Sequence, residues 1–355
     1  MSALNIQRKF LFRIAGLLAI LGLAVLIVGY DQFMRSTTTD FETAKTFHLY
    51  PTSSLEDLAD SLSSNGIIRK KTGFVVFGKL SGWGDQIKAG HYEVEPGASN
   101  KDILNILRRG LQTPVHVRVP AGTRKERMIR GMAKDMAFSV EELTAAFADV
   151  DLASSLGTDT THLWASMVPD TYFFYWLSDP EEVISRIRRR YDGLFEAAAD
   201  SLESIPWDMN ADEVIRLAGI VEWESSHVPE KPTIAGVYLN RLRDRWALQA
   251  DPTVQYALML LEGEKRRLFF KDYKLNHPYN TYKFRGLPPG PITNPTLTSI
   301  QAVLYPATHS YYYFVAKGDG QHIFSRTLAE HRRNAQEYYR LMRERRAAQA
   351  AAKTP

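Results

Sequence analysis

The 355-residue sequence contains no cysteine. This absence excludes disulfide bonds, thiolate ligands for zinc or iron–sulfur clusters, and a cysteine nucleophile. A large excess of one charge sign is also missing, because 44 Lys and Arg residues face 40 Asp and Glu residues and give a formal net charge of +4. This balance falls short of a nucleic-acid-binding surface, so we expect no nucleic-acid partner. The nine histidines show no spacing typical of metal ligands, and we expect no cofactor.

Long apolar runs are scarce, with one exception near the N-terminus. Residues 14–30 carry no charged side chain. As a helix they would span roughly 25 Å, close to the hydrocarbon core of about 30 Å. Basic residues at positions 8, 9 and 13 precede the run and Asp31 follows it, so the positive-inside rule places the N-terminus in the cytoplasm. We predict a cytoplasmic tail at 1–13 and a single-pass membrane anchor at 14–30. A cleaved signal peptide and a buried helix are the alternatives.

A short strand–turn–helix unit recurs three times after a polar tether at 31–45. The predicted strand and helix pairs are Phe47–Tyr50 with Leu55–Leu62, His91–Val94 with Ile103–Leu107, and Val115–Val119 with Met128–Met136. A serine or threonine follows each turn where the helix N-cap would lie, namely Ser53 or Ser54, Ser99 and Thr123. Units this short cannot bury an apolar face alone, so we predict that they pack together as one α+β module at 46–137. Unrelated turns before helices are the alternative interpretation.

Two glutamates lie at the end of a predicted helix over Ala211–Ser225. Glu222 and Glu224 are about 160° apart around the helix axis, so they cannot form the neighbouring carboxylate pair of an ordinary glycosidase. The apolar stripe of this helix slightly favours Glu224 as a partly buried group. Burial would raise its pKa and let it hold a proton near neutral pH. An exposed charge on a helix surface is the alternative for either glutamate.

The segments around these glutamates form a recognisable series. In chain order they are VEWES (221–225), YLNRL (238–242), LQADPTVQYAL (248–258), HPYNTY (277–282), GLPPGPI (286–292) and YYYFVAKGDGQHIFSRTLAEH (311–331). The last segment predicts a β-hairpin around Gly318-Asp319-Gly320. Together the segments resemble the membrane-anchored endolytic murein transglycosylases of the YceG-like (MltG) family. The sequence departs from the family pattern at Trp223, Ala250 and Arg332.

The resemblance implies an α+β protein with several parts. These are a LysM-like module at 46–137, a YceG-like catalytic domain at 138–335, and an Arg- and Ala-rich C-terminal helix and tail at 336–355. It also implies anchoring in the bacterial inner membrane, with the catalytic domain in the periplasm. Peptidoglycan glycan strands are the implied substrate, and peptidoglycan synthases are expected partners.

The implied reaction is cleavage of the bond between N-acetylmuramic acid and N-acetylglucosamine, ending in a 1,6-anhydro sugar. The family's catalytic glutamate is the second of its E-x-E segment, which corresponds to Glu224. A single carboxyl group suffices, because the C6 hydroxyl of the substrate attacks the anomeric carbon and no second carboxylate is needed. We expect substrate contacts from Gln249, Asp251, Tyr279 and Asn280.

Two alternatives are kept. The chain could be a non-catalytic, membrane-tethered peptidoglycan-binding scaffold of the cell-wall synthesis machinery. It could also be a hydrolase in which Glu224 is the acid and Asp251 activates water.

Overall fold

The computed structural model describes residues 13–24, 27, 29–30, 35, 37–199 and 209–351. Its described part is a mixed α+β structure, as predicted, with three two-stranded sheets. Residues 13–24 are helical. No helix within the described ranges is both long and apolar enough to cross a membrane. Residues 25, 26 and 28 of the predicted anchor lie outside these ranges, as does the predicted tail up to residue 12.

The chain divides into two compact units, and the first comprises residues up to Val115 together with Phe173–Leu177. Its elements are β1 (Lys45–Leu49), α1 (Leu55–Ser64), α2 (Lys71–Ser81), β2 (Gly90–Val94) and α3 (Asn100–Arg109). Strands β1 and β2 pair antiparallel, with Phe47 opposite Tyr92. Both rings enter a core that the apolar faces of the three helices complete.

Local sequence signals set the starts of two helices in this unit. Ser54 and Ser99 are N-caps, as predicted, because each side chain accepts a hydrogen bond from the backbone N–H three residues later. Helix α2 was missed by the repeat pattern. It buries Phe74 and Phe77 one turn apart, so tertiary packing overrides the β propensity of its Phe-Val-Val-Phe run.

The predicted tether at 31–45 is packed against this unit from Thr37 onward. The backbone N–H of Thr37 donates to Ala98 O at 3.0 Å, and the backbone of Thr38 pairs with Ile68. Polar side chains in this segment, which suggested a free linker, form hydrogen bonds with backbone groups instead. Thr38 Oγ1 accepts from the N–H of Gly97 at 3.0 Å, for example.

The second unit comprises His116–Tyr172 and Ser178–Pro355. Its helices are α4 (Lys125–Ala133), α5 (Val140–Ala148), α6 (Val150–Ser155), α7 (Pro180–Ala199), α8 (Ala211–Glu224), α9 (Lys231–Arg243), α10 (Asp251–Glu262), α11 (Leu297–Leu304) and α12 (Leu328–Ala351). Most of β3 (Val115–Val119) and most of its partner β4 (Asp170–Phe174) belong to this unit, and so do the paired strands β5 (Tyr313–Ala316) and β6 (His322–Ser325).

The third copy of the predicted repeat therefore lies almost entirely in the second unit, and not in one module ending at 137. Strand β3 pairs with β4 and not with β1 or β2. Helix α4 begins after Arg124, and Thr123 is not its N-cap. The backbone N–H of Thr123 donates instead to the side chain of Asn294 at 3.1 Å. This segment thus helps to build the unit that contains both glutamates.

Helix α8 is the centre of the second unit. Helices α9, α10 and α11 all pack against it, and the hairpin β5–β6 packs against α12. The backbone at Ala307 lies close against helix α9 at Gly236. Only glycine fits there, because a Cβ atom at this position would lie 2.5 Å from the carbonyl oxygen of Ala307. The predicted hairpin and the predicted helix after Leu328 are both present.

Candidate active site

Glu224 is the last residue of helix α8. Its side chain is partly buried, and the hydroxyl of Tyr238 donates a hydrogen bond of 2.5 Å to Glu224 Oε1. Tyr238 lies on α9 and is 1% exposed, so the position of the carboxyl is set by two packed helices. The helix end therefore presents one restrained carboxyl group.

Burial raises the pKa of Glu224 to about 7. The hydrogen bond from Tyr238 opposes this shift, the negative charge of Asp251 adds to it, and the positive charge of Arg241 reduces it. Since the charged form is disfavoured by loss of solvent, the group exchanges a proton near neutral pH. A carboxyl group of this kind can act both as general acid and as general base.

Glu222 has different surroundings, as the helical geometry predicts. Its Oε2 accepts hydrogen bonds from Ser299 Oγ at 2.6 Å, Thr296 Oγ1 at 2.5 Å and Lys231 Nζ at 3.0 Å. Burial raises the pKa of Glu222, but these donors outweigh it and hold the pKa below its usual range. Glu222 is thus a permanent carboxylate that fastens α8 to α9 and α11.

Glu224 opens into a cleft of about 450 Å³, which we call the hairpin cleft. Tyr313 and Phe314 of β5 line one side, and His331 and Tyr339 of α12 line another. The predicted domain end at 335 therefore falls inside a helix that contributes to the cleft. Aromatic faces of this kind are suited to stacking on sugar rings.

A second cleft of about 380 Å³ lies on the Trp223 side of Glu224, and we call it the Trp223 cleft. Glu224, Asp251 and Tyr273 line both clefts. The indole N–H of Trp223 donates to the carbonyl oxygen of Gly122 at 3.2 Å, which fixes the ring. A chain-like ligand can therefore extend to either side of Glu224.

Asp251 is the second carboxylate at the junction of the two clefts. It is exposed, and its two oxygens accept hydrogen bonds from Tyr282 at 2.6 Å and Tyr273 at 3.2 Å. Nearby negative charge contributes to the raised pKa of Tyr273, about 12, after the larger effect of burial. Both hydroxyls therefore remain donors at neutral pH and orient the Asp251 carboxylate.

Gln249 also lines the hairpin cleft, and its backbone adopts a φ of 51°. This left-handed conformation is uncommon for a residue other than glycine, asparagine or aspartate. A hydrogen bond from the backbone N–H of Gln249 to Thr281 O at 3.1 Å holds it. The neighbouring N–H of Ala250 donates to Thr281 Oγ1 at 3.0 Å, which ties the same turn to the HPYNTY segment.

The structure does not place the other two predicted contacts in either cleft. Asn280 is 0% exposed, and its amide donates to Tyr273 O at 3.1 Å and Leu275 O at 2.8 Å. It therefore shapes the loop that carries Tyr282. Tyr279 packs against the ring of Tyr256 with centroids 4.9 Å apart. A polar residue in a predicted turn can either stabilise the loop or contact a ligand. The sequence alone could not distinguish these two roles for Asn280.

Several cleft residues were not singled out from the sequence, although their motif was. Tyr238 and Arg241 are both in YLNRL, three residues apart on α9, and this spacing places them on one face. Arg241 is 7% exposed and donates through Nε to Tyr312 O at 2.8 Å. The signal available in the sequence was an arginine that follows a tyrosine by one helical turn.

One group of described residues has the spacing of potential metal ligands: Asp159, His162 and Asp212. His162 Nδ1 already bonds to Asp159 at 2.9 Å. None of the three lines either cleft. The group has no part in the site around Glu224.

Comparisons with known proteins identify relatives of this chain. The profile of the YceG-like family matches residues 47–337. The endolytic murein transglycosylase of Bacillus subtilis (strain 168) is 27% identical over 315 residues, covering 84% of this chain and 86% of that protein. The endolytic murein transglycosylase of Streptococcus pneumoniae serotype 2 (strain D39) is 26% identical over 316 residues, covering 81% of this chain and 57% of that protein.

A solved structure is similar as well. The crystal structure of a yceG-like protein from Listeria monocytogenes has a TM-score of 0.54 and 26% sequence identity, covering 82% of this chain and 98% of that one. The profile match includes the helix that ends at Glu224 and the lining of both clefts except Tyr339. The chain belongs to the YceG-like family.

Proposed function

We propose that this protein is an endolytic transglycosylase that cleaves the glycan strands of peptidoglycan. It acts between N-acetylmuramic acid and N-acetylglucosamine and leaves a 1,6-anhydro end. The observation that carries the proposal is Glu224, a carboxyl group with a pKa of about 7 at the junction of two clefts. The names of the Bacillus and Streptococcus relatives support the same activity.

The reaction uses Glu224 twice. Because Tyr238 donates to Oε1, the proton of the neutral acid resides on Oε2. That proton passes to the glycosidic oxygen as the bond to the anomeric carbon breaks. The C6 hydroxyl oxygen of the muramoyl ring then bonds to the same carbon, and its proton returns to Glu224. Atoms balance without water, and the enzyme is regenerated.

Asp251 supports the charge that develops during bond cleavage. The transition state resembles an oxocarbenium ion, and a fixed carboxylate stabilises positive charge without having to reorganise. Tyr282 and Tyr273 supply that fixation through their hydroxyls. Gln249 lines the same cleft, so we assign it a contact with the sugar.

Hydrolysis is the second candidate, because Asp251 is a second carboxylate at the same junction. In that reaction Asp251 would activate a water molecule, and the product would carry a reducing end. A non-catalytic peptidoglycan-binding scaffold is a weaker candidate, since a binding surface has no use for a carboxyl group with a raised pKa.

Mass spectrometry of digested, purified glycan strands tests the proposal. Anhydro ends, lighter by one water, are the expected product. Reducing ends would establish the hydrolase, and intact strands would favour the scaffold. Glu224→Gln should lower the rate by about 10²–10⁴-fold. Glu264→Gln, at an exposed position that lines neither cleft, is the matched control and should leave the rate unchanged.

We also propose that residues 14–30 anchor the protein in the inner membrane, with 1–13 in the cytoplasm and the catalytic unit in the periplasm. The charge pattern supports this topology, and so do exposed apolar side chains such as Leu17 and Ile20. A reporter that works only in the cytoplasm, fused after Pro355, should be silent. Activity of that reporter would refute the topology.

The strand–helix region from residue 46 is proposed to act as a LysM-like module that positions glycan strands. Two antiparallel strands packed with helices α1 and α2 support this proposal. Peptidoglycan synthases are the proposed protein partners.

A further inference from the structure

The Trp223 cleft contains a hydrogen-bond donor that has no partner in the described part of the chain. Gln255 of helix α10 is 8% exposed, and its buried Nε2 donates to no protein atom there. Leaving a buried donor unpaired is costly, and native structures retain such groups mainly where a ligand or water pairs with them. Gln255 lines the cleft, so a ligand with an oxygen acceptor would satisfy it.

Two cations line the same cleft. Lys265 and Arg267 are exposed, and neither forms an ion pair with a carboxylate among the described residues. The intervening Arg266 differs, because it is paired with Glu262 at 2.6 Å and Asp272 at 2.7 Å. Lys265 Nζ lies 5.1 Å from the centroid of the Trp223 ring. This contact holds the positive charge of Lys265 at the cleft, and Arg267 follows two positions later in the sequence.

The carboxyl groups of the cleft do not neutralise these cations. Glu224 and Asp251 lie at the junction with the hairpin cleft. Asp251 is already hydrogen-bonded to two tyrosine hydroxyls. Beyond the junction the Trp223 cleft therefore offers donors and positive charge, and it favours an anionic ligand rich in oxygen acceptors.

We propose that the Trp223 cleft binds the carboxylate-bearing substituent of a muramoyl residue beside the scissile bond. This inference rests on the proposed function. Gln255 donates to an amide or carboxylate oxygen of that substituent, and Lys265 and Arg267 neutralise its charge. Two sources supply this chemistry: the carboxylates of the stem peptide, or the lactyl carboxylate that is exposed when the peptide has been removed.

The test compares two substrates and two double variants. The substrates are uncrosslinked strands with stem peptides, and the same strands stripped by an amidase, which leaves the lactyl carboxylate. Lys265→Gln/Arg267→Gln removes both charges. Lys274→Gln/Arg285→Gln is the matched control, since both residues are exposed and line neither cleft.

Loss of the two charges should lower kcat/KM by at least about tenfold, since contacts to charged groups are the stronger ones. A loss confined to peptide-bearing strands assigns the site to the stem peptide. A loss confined to the stripped strands assigns it to the lactyl carboxylate, and a loss on both substrates shows that the site accepts either carboxylate. The control variant should match the wild type on both. Equal kcat/KM for wild type and Lys265→Gln/Arg267→Gln on both substrates would overturn the proposal.

A binding measurement separates this inference from the proposed function. In the Glu224→Gln background, calorimetry with peptide-bearing and with stripped glycan fragments should show weaker binding of at least one fragment when Lys265 and Arg267 are replaced. If the wild type cleaves no strand, the proposed function fails, and equal affinities in calorimetry would independently overturn the site.

Gln255→Met provides a second readout. It removes the unpaired donor at similar volume, so the melting temperature should hold or rise while kcat/KM on the preferred substrate falls. A fall in both would show that Gln255 has only a structural role, and the assignment of this donor would be wrong.

Discussion

The raised pKa of Glu224 predicts that its neutral replacement makes the protein more stable. Glu224→Gln keeps the size of the side chain and an oxygen that accepts from Tyr238. It removes the charge that the folded protein must hold in a partly buried site. The same substitution should therefore abolish catalysis and raise stability.

The size of the effect follows from the pKa. The value rises from an ordinary 4.5 to about 7 on folding, and each unit is worth about 1.4 kcal/mol. Below pH 4.5 the glutamate is protonated in both the folded and unfolded states, so it carries no penalty. As the pH rises from 4.5 to 7, the unfolded state ionises first and the folded state loses stability. Above pH 7 the loss levels off at an upper limit of about 3–4 kcal/mol.

Thermal unfolding of wild type and variant over pH 4 to 8 is the assay. The difference in melting temperature should be close to zero near pH 4 and should grow up to about pH 7. Glu264→Gln, at an exposed position, should show no such trend. A Glu224→Gln variant that is less stable than the wild type at pH 8, or whose advantage is the same at every pH, would refute the reasoning.

Four further predictions follow from the same geometry. The kcat/KM of the wild type should fall about tenfold per pH unit above pH 7 as Glu224 loses its proton, measured as initial cleavage rates. Glu222→Gln should destabilise the protein by about 3–5 kcal/mol in chemical denaturation, since it leaves Lys231, 4% exposed, without its counter-charge. Gln249→Val should cost about 1–2 kcal/mol, because a β-branched residue fits poorly at a φ of 51°, whereas Gln249→Gly should not. Gly236→Ala should lower the melting temperature, with a cost of about 1–3 kcal/mol, because its Cβ would lie 2.5 Å from a carbonyl oxygen.

The sequence was sufficient where a feature depends on neighbouring residues. The apolar period of α8 predicts a helix over Ala211–Ser225, and the structure has it at Ala211–Glu224. The angular separation of Glu222 and Glu224 predicts their different surroundings. Ser54 and Ser99 begin their helices because an N-cap interaction needs only three consecutive positions.

Features that depend on distant residues could not be predicted in this way. Thr123 has the same local context as the two serines. Its backbone N–H, however, donates to the side-chain oxygen of Asn294, 171 positions away in the sequence. In the sequence, Asn280 and Asp251 both read as polar residues in turns, although Asp251 begins helix α10 in the structure. Only the tertiary structure shows that the first is enclosed by backbone carbonyls, while the second faces two tyrosine hydroxyls at a cleft.

The continuation of open space on both sides of Glu224 has a consequence for product length. A site closed at one end works as a ruler, because a chain terminus stops against its wall and the cut falls a fixed number of units away. Here the two clefts share Glu224, Asp251 and Tyr273, so among the described residues open space extends on both sides of the acid. A strand that occupies both clefts has no terminus at Glu224, and the acid itself therefore does not fix the distance from the cut to a strand end. A uniform length of the released fragments would then depend on contacts farther from the acid than these shared residues.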